Sequence, residues 1–284
     1  MKVCMVPVCY NAHNDALRFL ESVERAFLSC DDLSLKVVLA DNSTVVPCAD
    51  KFDRQYSFDY FYQKNDNLGY FPAFNSALSV LAEPVGSYDF VIVCNVDLVV
   101  ADDFFLILAA QSIGDTVGLI APGIFSDKDG RDLNPKITQR PKLSKINFMR
   151  LVCSSSFLFR GYCKLAHLRE VRRSRSQRRQ LDGGHSSRLR VAEKMYGAHG
   201  SFMIFSRNYF RLGADVDYPR FLFGEEVFVA EQLRTHNLDI EHLPQLRIFD
   251  KEHASTSKVK FGFICGEHKK SYDYLYERFY KGGS

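Results

Sequence analysis

The sequence predicts an α/β domain built on a mostly parallel sheet flanked by helices. Three observations predict it. Short apolar, β-branched runs alternate with segments of helical period through the first half of the chain. The composition is globular: 284 residues, 46% hydrophobic and 25% charged, enough apolar mass for one large domain. Each of several apolar runs ends in a polar cluster, the pattern expected where parallel strands deliver a site to one sheet edge.

The elements follow in order. Residues 2–9 are a β-branched run bounded by Asn11 and Asn14, a first strand. In 15–29, Ala16, Leu17, Leu20, Val23, Ala26 and Phe27 recur at helical intervals. Leu35 to Ala40 is a second strand, ending at Asp41-Asn42-Ser43, and Phe58 to Tyr62 a short aromatic one. Residues 70–82 suit a helix. Phe90 to Cys94 is a buried strand ending at Asn95-Val96-Asp97, followed by a helix over 102–112 and a strand over Val117 to Ala121. Such alternation implies βαβ units with right-handed crossovers. Residues 126–145, rich in Asp, Lys, Pro and Arg, read as a surface loop, and 145–182 as a basic helix broken by Gly183-Gly184. Gly197 to Phe205 reads as a strand containing two glycines, 225–236 as a helix, and 258–280 as an amphipathic, aromatic tail.

Bulk properties narrow the function classes. A net charge of +3 gives no argument for nucleic acid. The charge is unevenly spread: residues 160–194 hold 11 Lys/Arg against 3 Asp/Glu, leaving 26 against 31 elsewhere. That basic insert is either attracted to an anionic lipid surface or is a solvated helical face. The eight cysteines include no C-x-x-C pair, so zinc-ribbon spacing is absent; buried free thiols and a cytoplasmic setting are expected. The N-terminal run is short, contains Pro7 and reads as a strand rather than a signal peptide. No stretch approaches the ~20 apolar residues of a membrane span, so any membrane contact is expected to be peripheral.

The polar clusters Tyr10-Asn11, Asp41-Asn42-Ser43 and Asn95-Val96-Asp97 are expected on one sheet edge, where they suit a polar ligand. Asn65-Asp66-Asn67-Leu68-Gly69-Tyr70 leads into a helix whose first N–H groups suit a diphosphate. Gly69 allows positive φ or close approach of the backbone to a ligand. Further along come Gly197-Ala198-His199-Gly200, then Phe223-Gly224-Glu225-Glu226-Val227 with Leu233-Arg234, then His253 with Ser255.

In that order and spacing, these segments resemble the family 2 glycosyltransferases of GT-A fold, in the rhamnosyltransferase-like branch of polysaccharide and O-antigen enzymes. The resemblance covers roughly residues 1–125 and 195–257. It implies a Rossmann-like GT-A domain over 1–257, with a nucleotide-sugar half at 1–125, a basic helical insert at about 143–194, an acceptor and catalytic half at 195–257, and a helical tail at 258–284. It implies that Tyr10, Asn11, Asp41, Asn42, Asn67, Gly69, Asn75 and Asn95 surround the donor nucleotide. Asp97, with His253, would hold Mg²⁺ or Mn²⁺ on the diphosphate, and His199 and Gly200 would line the acceptor side. Glu226 would be the general base, with its neighbour Glu225 pointing elsewhere; both also suit a simple helix-capping role.

The implied chemistry is inverting transfer of one sugar from a UDP- or dTDP-sugar to a glycan or lipid-linked glycan acceptor in bacterial-type surface polysaccharide assembly, cytoplasmic or peripheral on the cytoplasmic face of the inner membrane. A hard cation suits a diphosphate leaving group, and a carboxylate on the opposite face suits removal of the acceptor proton. Asn95 stands where the usual first acid of Asp-x-Asp would be, and Glu-Glu where the family has Glu-Asp. The chain has no tryptophan, so the Q-x-x-R-W motif of processive synthases is absent and a single transfer is expected. Two alternatives stay open. A sugar-phosphate nucleotidyltransferase should carry a Gly-rich basic loop after the first strand, where this chain has Tyr10-Asn11-Ala12-His13-Asn14. A non-enzymatic nucleotide- or nucleic-acid-binding module would use residues 160–194, but no helix-turn-helix, RRM or zinc pattern supports it, and no nucleic-acid partner is expected.

Overall fold

The computed structural model describes residues 1–45, 51–181, 195–251 and 260–282. The chain divides into two compact units, one made of 1–139 with 195–255 and the other of 140–194 with 256–284. The basic insert and the aromatic tail therefore belong to the same unit, although more than sixty residues of sequence part them.

The first unit is organised by an eight-stranded sheet. Strands β1 (Lys2–Cys9), β2 (Ser34–Asp41), β3 (Asp59–Lys64) and β4 (Phe90–Asn95) are mutually parallel in the order β3-β2-β1-β4. The remaining strands are β5 (Leu98–Val100), β6 (Val117–Ser126), β7 (Phe202–Ser206) and β8 (Asp239–Asp250), and they continue the sheet as β4-β7-β6-β8-β5. There β7 runs antiparallel to both β4 and β6, β8 parallel to β6, and β5 antiparallel to β8. Helix α1 (His13–Leu28) covers the sheet with Ala16, Phe19, Leu20, Val23 and Ala26, buried at helical spacing. Helix α2 (Tyr70–Leu78) buries Phe71, Phe74 and Ala77, and α3 (Phe104–Ala109) buries Phe104, Phe105 and Leu108. The central strands are buried on both faces, which is why they read as unbroken apolar runs.

Several readings change. Gly197 to Ser201 is a loop, and only Phe202–Ser206 is strand. The basic helix is two, α4 (Leu143–Val152) and α5 (Ser156–Leu181), parted at 153–155. Strands β5 and β8 and the short α6 (Arg207–Arg211) were not expected. β8 escapes notice because its residues alternate between buried and exposed around Pro244, so no apolar run forms. Helix α7 (Glu225–Thr235) lies where expected. In the second unit, α4 and α5 pack with α8 (Phe261–Leu275) around Met149, Val152, Cys153, Phe159 and Cys265. All seven described cysteines are free, six of them buried; Cys48 lies outside the described residues.

Candidate active site

The register of the parallel strands gathers the polar clusters. Cys9 lies opposite Asp41 and Val8 opposite Asn95, so Tyr10-Asn11, Asn42-Ser43 and Asn95-Asp97 all leave the sheet at one edge. Because β7 is antiparallel to β4, the 197–201 loop enters at the same edge, where Asn95 N–H donates to the Ser201 carbonyl at 2.9 Å.

At one end of this edge the side chains lock to each other. Asn11, at φ +52°, accepts at Oδ1 from the Thr44 and Val45 N–H groups and donates its own N–H to the Ser43 hydroxyl oxygen at 2.7 Å. Asp41 is fully buried: its Oδ1 takes the Ser43 N–H at 2.9 Å, its Oδ2 the Tyr62 hydroxyl at 2.7 Å, and His13 Nε2 lies 3.3 Å away. Burial alone would raise its pKa, but the Ser43 and Tyr62 hydrogen bonds, with His13, outweigh it and leave the carboxyl below its usual value. Asn42 is buried too and donates to the Gly69 carbonyl at 2.8 Å. Tyr10 and Asn11 are exposed, and so are Asn67 and Asn75, whose side chains make no hydrogen bond among the described residues.

Gly69 sits at φ +92°, and a Cβ there would lie 2.3 Å from the Phe221 carbonyl oxygen. The close approach it permits is to the chain's own backbone: Tyr70 N–H donates to that same carbonyl at 3.1 Å. The first N–H of α2 is thus committed to Phe221, which corrects the expectation of a free diphosphate donor there.

The other end of the edge is acidic. A Cβ on Gly200 would lie 3.1 Å from Glu225 Oε1 and 3.2 Å from Glu226 Oε1. The two carboxylates converge over one glycine, where the sequence reading had them diverge. Gly224, left-handed at φ +90°, makes the sharp entry into α7 that turns both toward the loop. Each carboxylate keeps some contact with solvent yet is largely surrounded by protein. Burial is the main force raising both pKa values. For Glu225 the Glu226 charge adds to it, pushing the group up to about 8. For Glu226 the Lys136 charge and the N–H groups of Glu226 and Gly200 oppose it without cancelling it. The outcome is a pair that holds a proton at neutral pH.

Tyr70 and Asp97 complete this end. The Tyr70 hydroxyl donates to the Gly200 carbonyl at 2.7 Å. Its pKa is driven well up by burial first, then by Cys94, Glu225, Glu226 and Asp97. Asp97 is partly exposed in the turn between β4 and β5. His199 accepts the Ser201 N–H at Nδ1 (3.2 Å), so its ring is neutral with the proton on Nε2. Burial, then Lys136, depress its pKa to about 4. Asn134 pins the loop, accepting the His199 N–H at 2.8 Å while donating to the Pro122 carbonyl. His253 lies outside the described residues.

Sequence reasoning missed Lys136, Asn134, Tyr70 and Tyr218. Lys136 sits in the Asp-, Lys- and Pro-rich segment read as plain surface loop, and nothing local marks it. Tyr218 packs under the turn before α7 with Phe71 and Phe228 and donates to the Phe223 carbonyl at 2.7 Å, supporting the residues that aim the acid pair.

One group of three candidate metal ligands is present among the described residues. Cys9 Sγ, His13 and Asp41 offer ligand atoms within 4.8 Å of one another. Burial pushes the Cys9 thiol up to about 11, and the N, S and O mixture suits zinc better than a hard cation. Asp97 belongs to no such cluster among the described residues; it offers one carboxylate, and a hard cation there would need substrate phosphates to complete its shell.

No sequence family matches the chain, and no curated protein matches it. Among solved structures it resembles S. aureus TarS over residues 1–349, with a TM-score of 0.50 at 9% identity, covering all of this chain and 74% of that one. A longer TarS structure gives 0.49 at 9% identity, and there this chain spans 45% of the other's length. The mannosyltransferase PcManGT from Pyrobaculum calidifontis, in complex with GDP-Man and Mn²⁺, gives 0.49 at 13% identity, covering 96% of this chain and 70% of that one. The fold is of GT-A type: a mixed α/β unit with an eight-stranded sheet flanked by helices.

Proposed function

We propose that this protein is a metal-dependent glycosyltransferase moving one sugar from a nucleoside-diphosphate donor to an acceptor hydroxyl. The observation that carries the reading is the convergence of Glu225 and Glu226 over Gly200, on the carboxyl edge of a GT-A sheet that also delivers Asp97. A diphosphate leaving group and an activated hydroxyl need those two things: a seat for a cation and a proton acceptor on the facing side.

The donor nucleotide would lie along Tyr10, Asn11 and Asn42, over the buried Asp41. Asp41 is held by Tyr62 and Ser43, which leaves part of its acceptor capacity to the base or ribose. Asp97 would hold Mg²⁺ or Mn²⁺, which when bound would neutralise charge on the departing diphosphate. Glu226 would take the acceptor proton, with Gly200 N–H fixing its carboxylate. Glu225, carrying the pair's proton, would keep the pair from holding two negative charges. Attack opposite the leaving group would invert the anomeric centre. Neutral His199 and Gly200 would border the acceptor, a glycan or lipid-linked glycan. A raised carboxylate is a better base near neutral pH than an ordinary one.

The test is release of nucleoside diphosphate from a panel of UDP-, dTDP- and GDP-sugars, with and without Mn²⁺, by the wild type, Asp97→Ala and Glu226→Gln. The reading expects metal-dependent turnover of one donor, lost in Asp97→Ala and reduced about 10²-fold or more in Glu226→Gln. No turnover of any donor by the folded wild type, or full activity of Asp97→Ala, sinks it.

A further inference from the structure

We propose that the α4–α5 helix pair is a membrane-docking element that seats on a bilayer rich in anionic lipid by inserting apolar side chains between lysines and arginines. The observations come from the second unit alone, and the inference does not depend on the transferase reading.

Both helices are two-faced. Inward, Met149, Val152 and Cys153 of α4 and Phe159 of α5 pack on Cys265, Phe261 and Tyr272. Outward, large apolar residues face solvent: Leu143, Phe148 and Leu151 on α4, and Phe157, Leu165 and Leu168 on α5. Phe157 is 84% exposed and Leu151 63%, values far from those of residues covered by their own fold. On α5 the spacing is that of one stripe, with Phe157, Gly161, Lys164, Leu165 and Leu168 at i, i+4, i+7, i+8 and i+11. Phe148 lies 6.1 Å from the Tyr162 ring, so the outer edge of α4 meets α5. An exposed apolar set of this size marks a contact surface.

Charge selects the occupant. Residues 140–169 contain seven Lys/Arg and no Asp/Glu. Lys142, Lys145, Arg160, Lys164 and Arg169 are all exposed among the apolar residues. A second copy would bring one such cationic face against another. The apolar side chains project singly from convex helices between long cationic stems, which suits the headgroup–acyl boundary, where such stems reach phosphates. No described helix is long and apolar enough to cross a membrane, so the contact is interfacial. The structure thus moves the surface suggested by residues 160–194 toward 142–169, and adds to attraction an apolar anchor that charge counting could not show.

The chain has no tryptophan, so Phe157→Trp provides a single reporter at the most exposed position. Full-length protein is mixed with vesicles of phosphatidylcholine alone or with phosphatidylglycerol, and read by sedimentation, emission wavelength and quenching by brominated acyl chains. The expected result is binding to anionic vesicles, a blue-shifted emission and quenching. The triple change Phe157→Ser, Leu165→Ser and Leu168→Ser should cut binding at least tenfold while circular dichroism stays native. Neutralising Lys142, Lys145 and Lys164 to Gln should weaken binding by about fivefold per residue. No binding to anionic vesicles overturns the proposal. So does binding without emission shift or quenching, which makes the contact electrostatic only. Phe157-dependent self-association that ignores vesicles, seen by analytical ultracentrifugation, assigns the face to a second copy instead.

Discussion

Replacing Glu225 by Gln should stabilise the protein, and by an amount that grows with pH. Glutamine has the shape of a protonated glutamate, so it removes only the cost of ionising a carboxyl beside Glu226. The sign follows from the raised pKa. In the unfolded chain Glu225 ionises near the ordinary glutamate value of 4.5, whereas in the folded chain burial and the Glu226 charge delay this to about 8. The folded state therefore binds the proton more tightly, and wild-type stability falls as pH rises through that window. Each pH unit inside it is worth up to about 1.4 kcal/mol. Between about pH 6 and about pH 8 the limiting change is ~3 kcal/mol; partial contact with solvent reduces this to about 1–2 kcal/mol. Urea unfolding of wild type and Glu225→Gln at the two pH values, with equal m-values, measures it. A gain that is the same at both values would show that the two carboxyls do not share a proton. A loss of stability at both would show that Glu225 is held as an anion by partners stronger than its own N–H and Lys136.

Four further outcomes follow. Gly69→Ala forces a Cβ to within 2.3 Å of the Phe221 carbonyl at positive φ; it should lower stability by about 3 kcal/mol or more, read by urea midpoint, and a cost under about 1 kcal/mol would contradict the packing described. Tyr62→Phe removes a hydrogen bond to a buried carboxylate and should cost about 1–3 kcal/mol at neutral pH. Because the Asp41 pKa is depressed, that cost should vanish as acid protonates Asp41, and a pH-independent cost would count against the Tyr62–Asp41 bond. The His199 ring should titrate near 4 by NMR and rise only part of the way toward 6.5 in Lys136→Met, because burial is the larger cause; an ordinary value in the wild type would contradict the burial of the ring, and no rise in the variant would remove Lys136 from its surroundings. Gly200→Ala should disturb the two carboxylates, 3.1 and 3.2 Å from its Cβ, and reduce donor turnover with little change in urea midpoint; unchanged turnover would remove the pair from the site.

Much of the first unit is legible in sequence because its strands are buried on both faces. Val3 to Cys9 and Phe90 to Cys94 have no solvent face, and Leu35 to Ala40 has only the partly exposed Lys36, so they read as apolar runs. The polar clusters that end them are legible for the same reason, since parallel strands deliver their ends to one edge. What the sequence could not determine depends on contacts between distant residues. Gly69 looks like a ligand-facing glycine until Phe221 is seen lying against it. Glu225 and Glu226, adjacent in a helix, seem bound to diverge, and only the turn at Gly224 and the bare backbone of Gly200 let both reach one point. Lys136 becomes part of the site because Ile137 pairs with Gly197 across some sixty residues of chain. The strand β8 is hidden by its alternating, half-exposed pattern. Residue types and their order thus set the sheet and its polar edge, because burial and turn formation are local to each segment. The shared proton, the committed N–H of Tyr70 and the cation beside the acids were decided by tertiary structure, because electrostatic and steric terms act over distances in space that the chain's order does not encode.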